Sequence, residues 1–166
     1  MNLKSAFGVS ISRSWKPAIV GVFVGAVTIP VIVLIGEVSS NFLQWKGVSI
    51  KFQAPVEMLR QDSSLTLRAL IFFVAVIIAP IAEEVIFRGI LYPSFKQLGF
   101  PRAALWGTSL VFGIIHVNLL SLLPLTVLAL ILTLLYEVTD DLVSPIVMHS
   151  FFNLVNFVQL SLSPLP

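Results

Sequence analysis

The sequence contains no cysteine and few charges. Without a cysteine among its 166 residues, the chain has no disulfide framework and no thiolate metal site. Charged residues make up 11% of the chain, less than half of the roughly 25% found in an average soluble domain. The formal net charge is only +2 and no predicted helix has a basic face, so we expect no nucleic-acid partner.

Apolar residues, by contrast, make up 57% of the chain, and the mean hydropathy is +1.01. These values exclude a soluble globular protein and a disordered one. The length suits a single domain, because about 150 residues is a common domain size. We therefore expect an integral membrane protein.

Residues 17 to 36 form the first run that is long enough to cross a membrane. The run carries no charge, and as a helix it spans the roughly 30 Å of bilayer hydrocarbon. Lys4, Arg13 and Lys16 precede it, so a signal peptide is the alternative. The length of the run favours a membrane helix. Residues 37 to 66 hold many of the charges and predict a loop with an interfacial helix.

A second membrane helix is expected to contain residues 69 to 82 and to run to about Tyr92, where Pro93 and Gly99 mark either its end or a frayed extension. Its N-cap candidates are Ser63, Ser64 and Thr66. These hydroxyl side chains precede the apolar run, and a hydroxyl oxygen can accept a hydrogen bond from a free N–H of the first helical turn.

The rest of the chain predicts three more helices. Residues 103 to 136 carry no charge, but a single helix of that length would be about 51 Å long, so a break is expected at residues 118 to 124. The predicted helices are residues 102 to 118, 124 to 138 and 145 to 160, with Ser144 as the cap of the last.

The positions of the cations favour a cytoplasmic N-terminus. One side of the predicted topology carries Lys4, Arg13, Lys16, Lys96 and Arg102. The other side carries Lys46, Lys51 and Arg60. Because cytoplasmic loops have an excess of Lys and Arg, the first side is expected to be the cytoplasmic one.

Ionisable residues lie at membrane depth in three of the predicted helices. They are Glu83, Glu84, Arg88, His116 and His149. A charged side chain at mid-helix costs roughly 2.5–3.5 kcal/mol, so such residues indicate a functional site by default. Glu84 and Arg88 are four residues apart and can form an ion pair, which has a purely structural interpretation as well.

The expected heights of these residues allow them to meet in one chamber. Antiparallel neighbours with a rise of 1.5 Å per residue put Glu83 roughly 13 Å and His149 roughly 6 Å above the same turns. Asn153 and His116 follow at roughly 12 Å and 21 Å. For each histidine the alternative is a hydrogen-bonded packing residue, and for Phe112 it is simple packing.

Three motifs in these helices resemble those of a known family. Residues 83 to 88 (EEVIFR) fit EExxxR, residues 112 to 116 (FGIIH) fit FxxxH, and residues 149 to 153 (HSFFN) fit HxxxN. In this order they resemble the CPBP intramembrane proteases, which include CAAX prenyl endopeptidases of the Ras-converting type and bacterial Abi proteins. The resemblance covers residues 69 to 160.

The resemblance implies roles for individual residues. Glu83 resembles the catalytic glutamate, His116 its partner in activating water, and His149 and Asn153 the pair that holds the oxyanion. Supporting roles are implied for Glu84, Arg88 and Phe112.

The expected fold is all-α, a polytopic transmembrane bundle of about five membrane helices around an intramembrane active-site chamber. Residues 1 to 66 are expected to form an N-terminal membrane helix and a polar, interfacial loop. Residues 67 to 166 are expected to form the CPBP-like protease core. The expected location is multi-pass in a prokaryotic plasma membrane.

The expected function is intramembrane endopeptidase activity by glutamate- and histidine-activated water. The expected partners are the lipid bilayer and a membrane-anchored or lipidated protein substrate, for which a prenylated CAAX sequence is one precedent. No cofactor is expected, although Glu83, His116 and His149 are an adequate ligand set for zinc. The alternatives are a non-catalytic immunity or scaffold protein of the same fold and a small transporter or proton relay.

Overall fold

The computed structural model describes residues 15–49, 53–61 and 64–162, and all regular secondary structure in these ranges is helical. The predicted all-α class is therefore confirmed. Some residues used in the predictions lie outside the described residues, namely Lys4, Arg13, Lys51 and Ser63, and so does the side chain of Arg60.

The described ranges contain six helices. They are α1 (Lys16–Trp45), α2 (Ala54–Gln61), α3 (Leu65–Gln97), α4 (Pro101–Ile115), α5 (Leu119–Thr139) and α6 (Val143–Leu162). Within these ranges α1, α3, α5 and α6 are long and apolar enough to cross a membrane, by length and composition. The remaining predicted membrane helix is α4, whose 15 residues make it only about 22 Å long.

α1 is longer than the sequence predicted, because the predicted loop from residue 37 is helical at first. Between residues 37 and 45 the only charge is Glu37, and neither Gly nor Pro interrupts the helix. The chain leaves the helix at Gly47, which has a φ of +70°. α2 lies in the remaining segment, where an interfacial helix was predicted.

α3 begins where the sequence predicted and has the longer of the two predicted extents. The Oγ of Ser64 accepts a hydrogen bond from the N–H of Leu67 at 3.4 Å, which confirms Ser64 as the N-cap. The helix passes Tyr92 and Pro93, so of the two predicted possibilities the extension towards Gly99 is the one present. It stops at Gln97, before Gly99, whose φ of +90° is unfavourable for other residues.

The start of α5 was predicted too late. Asn118 is its N-cap, since its Oδ1 accepts a hydrogen bond from the N–H of Ser121 at 3.0 Å. Pro124, taken as part of the break, lies inside the helix. The chain reverses earlier, at Val117, which adopts a φ of +48°.

α6 also begins earlier than predicted, and its predicted cap has another role. The Oδ1 of Asp141 accepts a hydrogen bond from the N–H of Val143 at 2.6 Å and so supplies a cap interaction. Ser144 is buried and donates instead to the carbonyl of Pro17, at 3.0 Å. This bond joins the start of α6 to the start of α1.

Consecutive members of the five longer helices run in opposite directions between two ends of the molecule. At one end Lys96, near the end of α3, forms a 2.6 Å salt bridge with Glu137, near the end of α5. At the other end the rings of Phe72 and Phe157 are 5.4 Å apart and join the start of α3 to the end of α6. α4 therefore leads from the Lys96 end towards the opposite end, although it is short.

α5 packs against α1, α4 and α6, and therefore occupies the centre of the bundle. Leu128 and Leu132 of α5 are fully buried and pack with Ile32 of α1 and Met148 of α6. Small residues allow close approach of the helices. A Cβ added to Gly21 would lie 2.5 Å from the carbonyl oxygen of Ser144.

Candidate active site

The central segment of α3 carries the two glutamates. Residues Phe73–Ile78 and Val85–Leu91 are π-helical, and the α-helical segment Ala79–Glu84 lies between them. π-Helical turns are rare and often occur at functional sites. α3 packs against α6 on one side of this segment and against α4 near its C-terminal end.

Glu84 is completely buried and is the centre of a charged cluster. Its Oε1 lies 2.8 Å from an Nη of Arg88 and 2.8 Å from the Nδ1 of His149. The ion pair predicted from the i, i+4 spacing is therefore present. The contact with His149 joins α3 to α6 across 65 residues of sequence.

Arg88 is as deeply buried as Glu84, with an exposed fraction of 1%, and its donors face two helices. Besides Glu84, it donates to the carbonyl oxygen of Ala129 at 2.8 Å and to the Oγ1 of Thr133 at 3.3 Å. Both acceptors lie on α5. A buried charge is tolerated when it is paired and its hydrogen bonds are satisfied, as they are here.

Glu83 has a different environment from its neighbour. Its side chain is 26% exposed, and its Oε2 is buried without a hydrogen-bond partner in the described residues. The Nε2 of His149 lies 3.8 Å from this oxygen, which is longer than a hydrogen bond. Glu83 is thus less buried and less tightly bound than Glu84.

Phe112 of α4 connects the charged cluster to the second histidine. The ring is completely buried and lies 5.8 Å from the ring of His149 and 5.0 Å from that of His116. It also contacts the ring of Phe87 at 5.0 Å and the guanidinium carbon of Arg88 at 5.2 Å. Phe112 is therefore a packing residue at the centre of the site.

His116 directly follows the last residue of α4, and one of its ring nitrogens is hydrogen-bonded. Its Nδ1 lies 2.7 Å from the carbonyl oxygen of Phe112. Because a carbonyl oxygen only accepts, Nδ1 must carry the hydrogen, and in the neutral ring Nε2 is left as an acceptor. The next residue, Val117, has a positive φ that a β-branched residue rarely adopts.

Asn153 of α6 makes its described hydrogen bond to the backbone of α3. Its Nδ2 donates to the carbonyl oxygen of Ala75 at 2.8 Å. In the π-helical segment the N–H of Ala79 bonds to Val74, five residues back, and the residue five positions after Ala75 is Pro80, which has no N–H. The amide of Asn153 therefore supplies a donor that the backbone lacks.

The predicted site residues therefore form one directly bonded group and two outlying members. Glu84, Arg88 and His149 are hydrogen-bonded together, and Glu83 adjoins them. Among the described residues, neither His116 nor Asn153 is hydrogen-bonded to a side chain of this group. Thr133 is a member that sequence reasoning missed, because a hydroxyl in an uncharged run has no motif to mark it.

The described residues do not bring together a metal-ligand set. Within residues 15–49, 53–61 and 64–162, no three His, Asp or Glu side chains are arranged to hold one metal ion. Of the zinc ligands considered from the sequence, Glu83 and His149 approach each other, with the Nε2 of His149 3.8 Å from the Oε2 of Glu83.

Comparisons with known proteins match the region that contains this site. Residues 65–155 match a family model described as Rce1-like, "Type II CAAX prenyl endopeptidase Rce1-like". The chain is 35% identical over 85 residues to a Bacillus subtilis (strain 168) protein described as "Putative membrane peptidase YdiL". The matched segment is 51% of this chain but 34% of that protein, so this chain matches about a third of its relative's length. No solved structure matches the chain.

Proposed function

The chain belongs to the Rce1-like family of type II CAAX prenyl endopeptidases, and from this membership and the geometry of the site we propose that it is an intramembrane endopeptidase. One observation carries the proposal. Glu83 lies beside the Glu84–Arg88–His149 cluster with its side chain 26% exposed, and its Oε2 has no hydrogen-bond partner in the described residues. Glu84 also has an Oε2 without such a partner, but its side chain is completely buried and its Oε1 is bound by Arg88 and His149, so Glu83 is the better candidate for a general base.

In the proposed reaction Glu83 is the general base. A water molecule at its Oε2 attacks the carbonyl carbon of the scissile peptide bond and gives a proton to the carboxylate. The tetrahedral intermediate then collapses as the carbon–nitrogen bond breaks. The proton held by Glu83 passes to the leaving amine, so a carboxylic acid and an amine are released and the carboxylate is restored.

His116 is proposed to orient the attacking water. Its Nδ1–H is bound to the carbonyl of Phe112, so the Nε2 of the neutral ring can accept a hydrogen bond from the water. Both histidine rings contact Phe112, which supports placing His116 at the edge of the same reaction centre.

His149 and Asn153 are the proposed donors to the oxyanion. Asn153 has a second amide hydrogen besides the one bonded to Ala75. In this proposal His149 carries a hydrogen on each ring nitrogen, so that Nδ1 is bonded to Glu84 and Nε2 donates to the oxyanion. Removing one such donor costs about 2.7–4 kcal/mol of transition-state stabilisation in known hydrolases.

The proposed mechanism uses no metal ion. Its steps are assigned to protein side chains. We propose support roles for Glu84 and Arg88 of α3, which hold His149, and for Phe112 of α4, whose ring packs against that of His149.

The proposed substrate is a membrane-anchored or lipidated protein. A site on apolar helices meets its substrate within the bilayer, and the family description specifies prenylated CAAX proteins. In this proposal the enzyme is a multi-pass protein of a prokaryotic plasma membrane with its N-terminus in the cytoplasm.

A cleavage assay on the purified full chain in lipid nanodiscs tests this function. The probe is an internally quenched peptide that ends in a farnesylated cysteine followed by two aliphatic residues and a methionine. Glu83→Gln should lower kcat about 10²- to 10⁴-fold, because it keeps the shape of the side chain but removes the base. The matched control is Glu57→Gln, at an exposed position on α2, which should cleave like the wild type.

A comparison of protein termini by mass spectrometry extends the test to natural substrates. Cells that express the wild type should contain new termini that are absent with Glu83→Gln at matched protein levels. Undiminished cleavage by both Glu83→Gln and His116→Ala would overturn the proposal. Identical termini, together with no cleavage of the peptide by the wild type, would favour the non-catalytic alternative.

A further inference from the structure

Thr133 of α5 lies in the buried centre of the site and belongs to none of the three motifs. Its exposed fraction is 1%. The hydroxyl donates to the carbonyl oxygen of Ala129 at 2.8 Å and accepts from the Nε of Arg88 at 3.3 Å. The Ala129 carbonyl also accepts from Arg88, at 2.8 Å. One turn of α5 thus binds two of the guanidinium nitrogens.

We propose that Thr133 is a positioning residue for the proposed peptidase reaction, acting through Arg88 and Glu84 on His149. The contacts form a chain of three steps. Thr133 and Ala129 bind and orient Arg88. Arg88 donates to the Oε1 of Glu84, and that same oxygen is bound by the Nδ1 of His149. The inference rests on the proposed function, because the ring that is positioned is the one assigned to the oxyanion.

The geometry of the guanidinium explains why a hydroxyl is needed at this position. Arg88 offers its donors in one plane, and the Nε–H points away from the edge that binds Glu84. Without the Thr133 hydroxyl the Nε–H is left buried and unpaired, which favours rotation of the whole group towards another acceptor. Such a rotation moves Glu84 and therefore His149.

Thr133→Val removes the hydroxyl and preserves the shape of the side chain. We expect kcat for the farnesylated peptide to fall about tenfold with KM changed less than twofold, because the substrate is bound elsewhere and the oxyanion donor is misaligned. Thr133→Ser restores the hydroxyl and should recover most of the wild-type kcat. Should Thr133→Val fail to accumulate, Thr133→Ala tests the same loss with a smaller side chain.

Thr108→Val is the matched control. Thr108 is a buried threonine of α4 whose hydroxyl also donates to the carbonyl oxygen four residues back, at 2.8 Å. Unlike Thr133, it does not accept a hydrogen bond from Arg88. A general effect of removing a buried threonine hydroxyl would appear in both valine variants. The proposal requires the kinetic defect in Thr133→Val alone.

A spectroscopic test separates this inference from the proposed function. The chain has two histidines, so ¹⁵N-histidine labelling gives two imidazole rings, and His116→Gln assigns them. Thr133→Val should shift the ring nitrogen signals of His149 and leave those of His116 in place, while Thr108→Val should shift neither. Unchanged His149 signals in Thr133→Val, or a wild-type kcat, would overturn the inference.

The two proposals fail in different ways. If the wild type cleaves the peptide no better than Glu83→Gln, the proposed function fails, and the imidazole signals still decide whether Thr133 positions His149. If the wild type cleaves and Thr133→Val cleaves equally well, only the role of Thr133 is lost.

Discussion

Two adjacent glutamates have opposite environments at this site. Glu84 is fully buried and its Oε1 contacts both Arg88 and His149, while Glu83 is partly exposed and approaches His149 only to 3.8 Å. The Oε2 of each carboxylate has no hydrogen-bond partner in the described residues. The environments differ because consecutive residues of a helix point about 100° apart. One carboxylate is therefore available for structure and the other for chemistry.

The buried pair of Glu84 and Arg88 should be essential for stability. Arg88→Met removes one partner of a fully buried ion pair, and we expect a loss of about 3–5 kcal/mol in the free energy of unfolding. Unfolding by sodium dodecyl sulfate in mixed micelles measures this difference.

Lys96→Met supplies the matched control for that measurement. Lys96 and Glu137 also form a short ion pair between helices, but both side chains are a third or more exposed. Its loss should cost at most about 1 kcal/mol. Equal effects of the two substitutions would contradict the structural role of the buried pair.

At the scale of the element, α3 owes its shape to two prolines and two π-helical segments. Pro80 and Pro93 each follow a π-helical segment by two residues. At both junctions a backbone N–H bonds five residues back, Ala79 to Val74 and Tyr92 to Phe87. The wider turn accommodates a residue that has no N–H, so the helix continues where a regular α-helix would be interrupted.

The hydrogen bond from Asn153 should contribute more to the stability of the fold while residue 80 is a proline. Asn153→Leu leaves the carbonyl of Ala75 without a donor, and we expect a loss of about 1–3 kcal/mol in the free energy of unfolding. In the Pro80→Ala background, residue 80 has its own N–H, and the same substitution should cost less. A double-mutant cycle in mixed micelles measures the coupling, and additive effects would contradict this account.

At the scale of the whole molecule, the helix ends divide into two groups. The Ser144–Pro17 and Lys96–Glu137 contacts are on one side, and the Phe72–Phe157 contact is on the other. α4 begins at the first side, and the turn after it leads into α5, which returns there. In the described part of the chain five helices thus cross the bundle, although by length and composition four of them are long and apolar enough to span a membrane.

The absence of cysteine makes this topology directly measurable. Single cysteines at exposed positions are unambiguous labels, and we choose Leu98→Cys, Val138→Cys and Val117→Cys. A membrane-impermeant maleimide applied to one face of sealed vesicles should label the first two from the same side. The third should react from the opposite side, because α4 separates it from Leu98.

The same experiment tests the predicted orientation of the chain. A cytoplasmic N-terminus places Leu98 and Val138 in the cytoplasm, since α1 begins at their end of the bundle. Labelling of all three cysteines from one face would contradict the antiparallel arrangement. Labelling of the first two from outside the cell would reverse the orientation and leave the fold unchanged.

Features that depend on neighbouring residues could be predicted from the sequence. Uncharged runs predicted apolar membrane helices, Ser64 was among the predicted caps, and the i, i+4 spacing predicted the pair of Glu84 and Arg88. Each of these depends on interactions within about one helical turn, which residue spacing expresses directly. The helix end at Trp45 was missed because apolar, helix-compatible residues continue beyond the charge taken as a stop.

The contacts between side chains of different helices could be read only from the tertiary structure. The contact of His149 with Glu84, the bond from Asn153 to the backbone of Ala75 and the binding of Arg88 by Thr133 join residues 41 or more positions apart. These meetings depend on the rotation and depth of each helix, which are set by packing of whole helix faces around α5. A pattern of residues in one helix contains no information about the rotation of its neighbour.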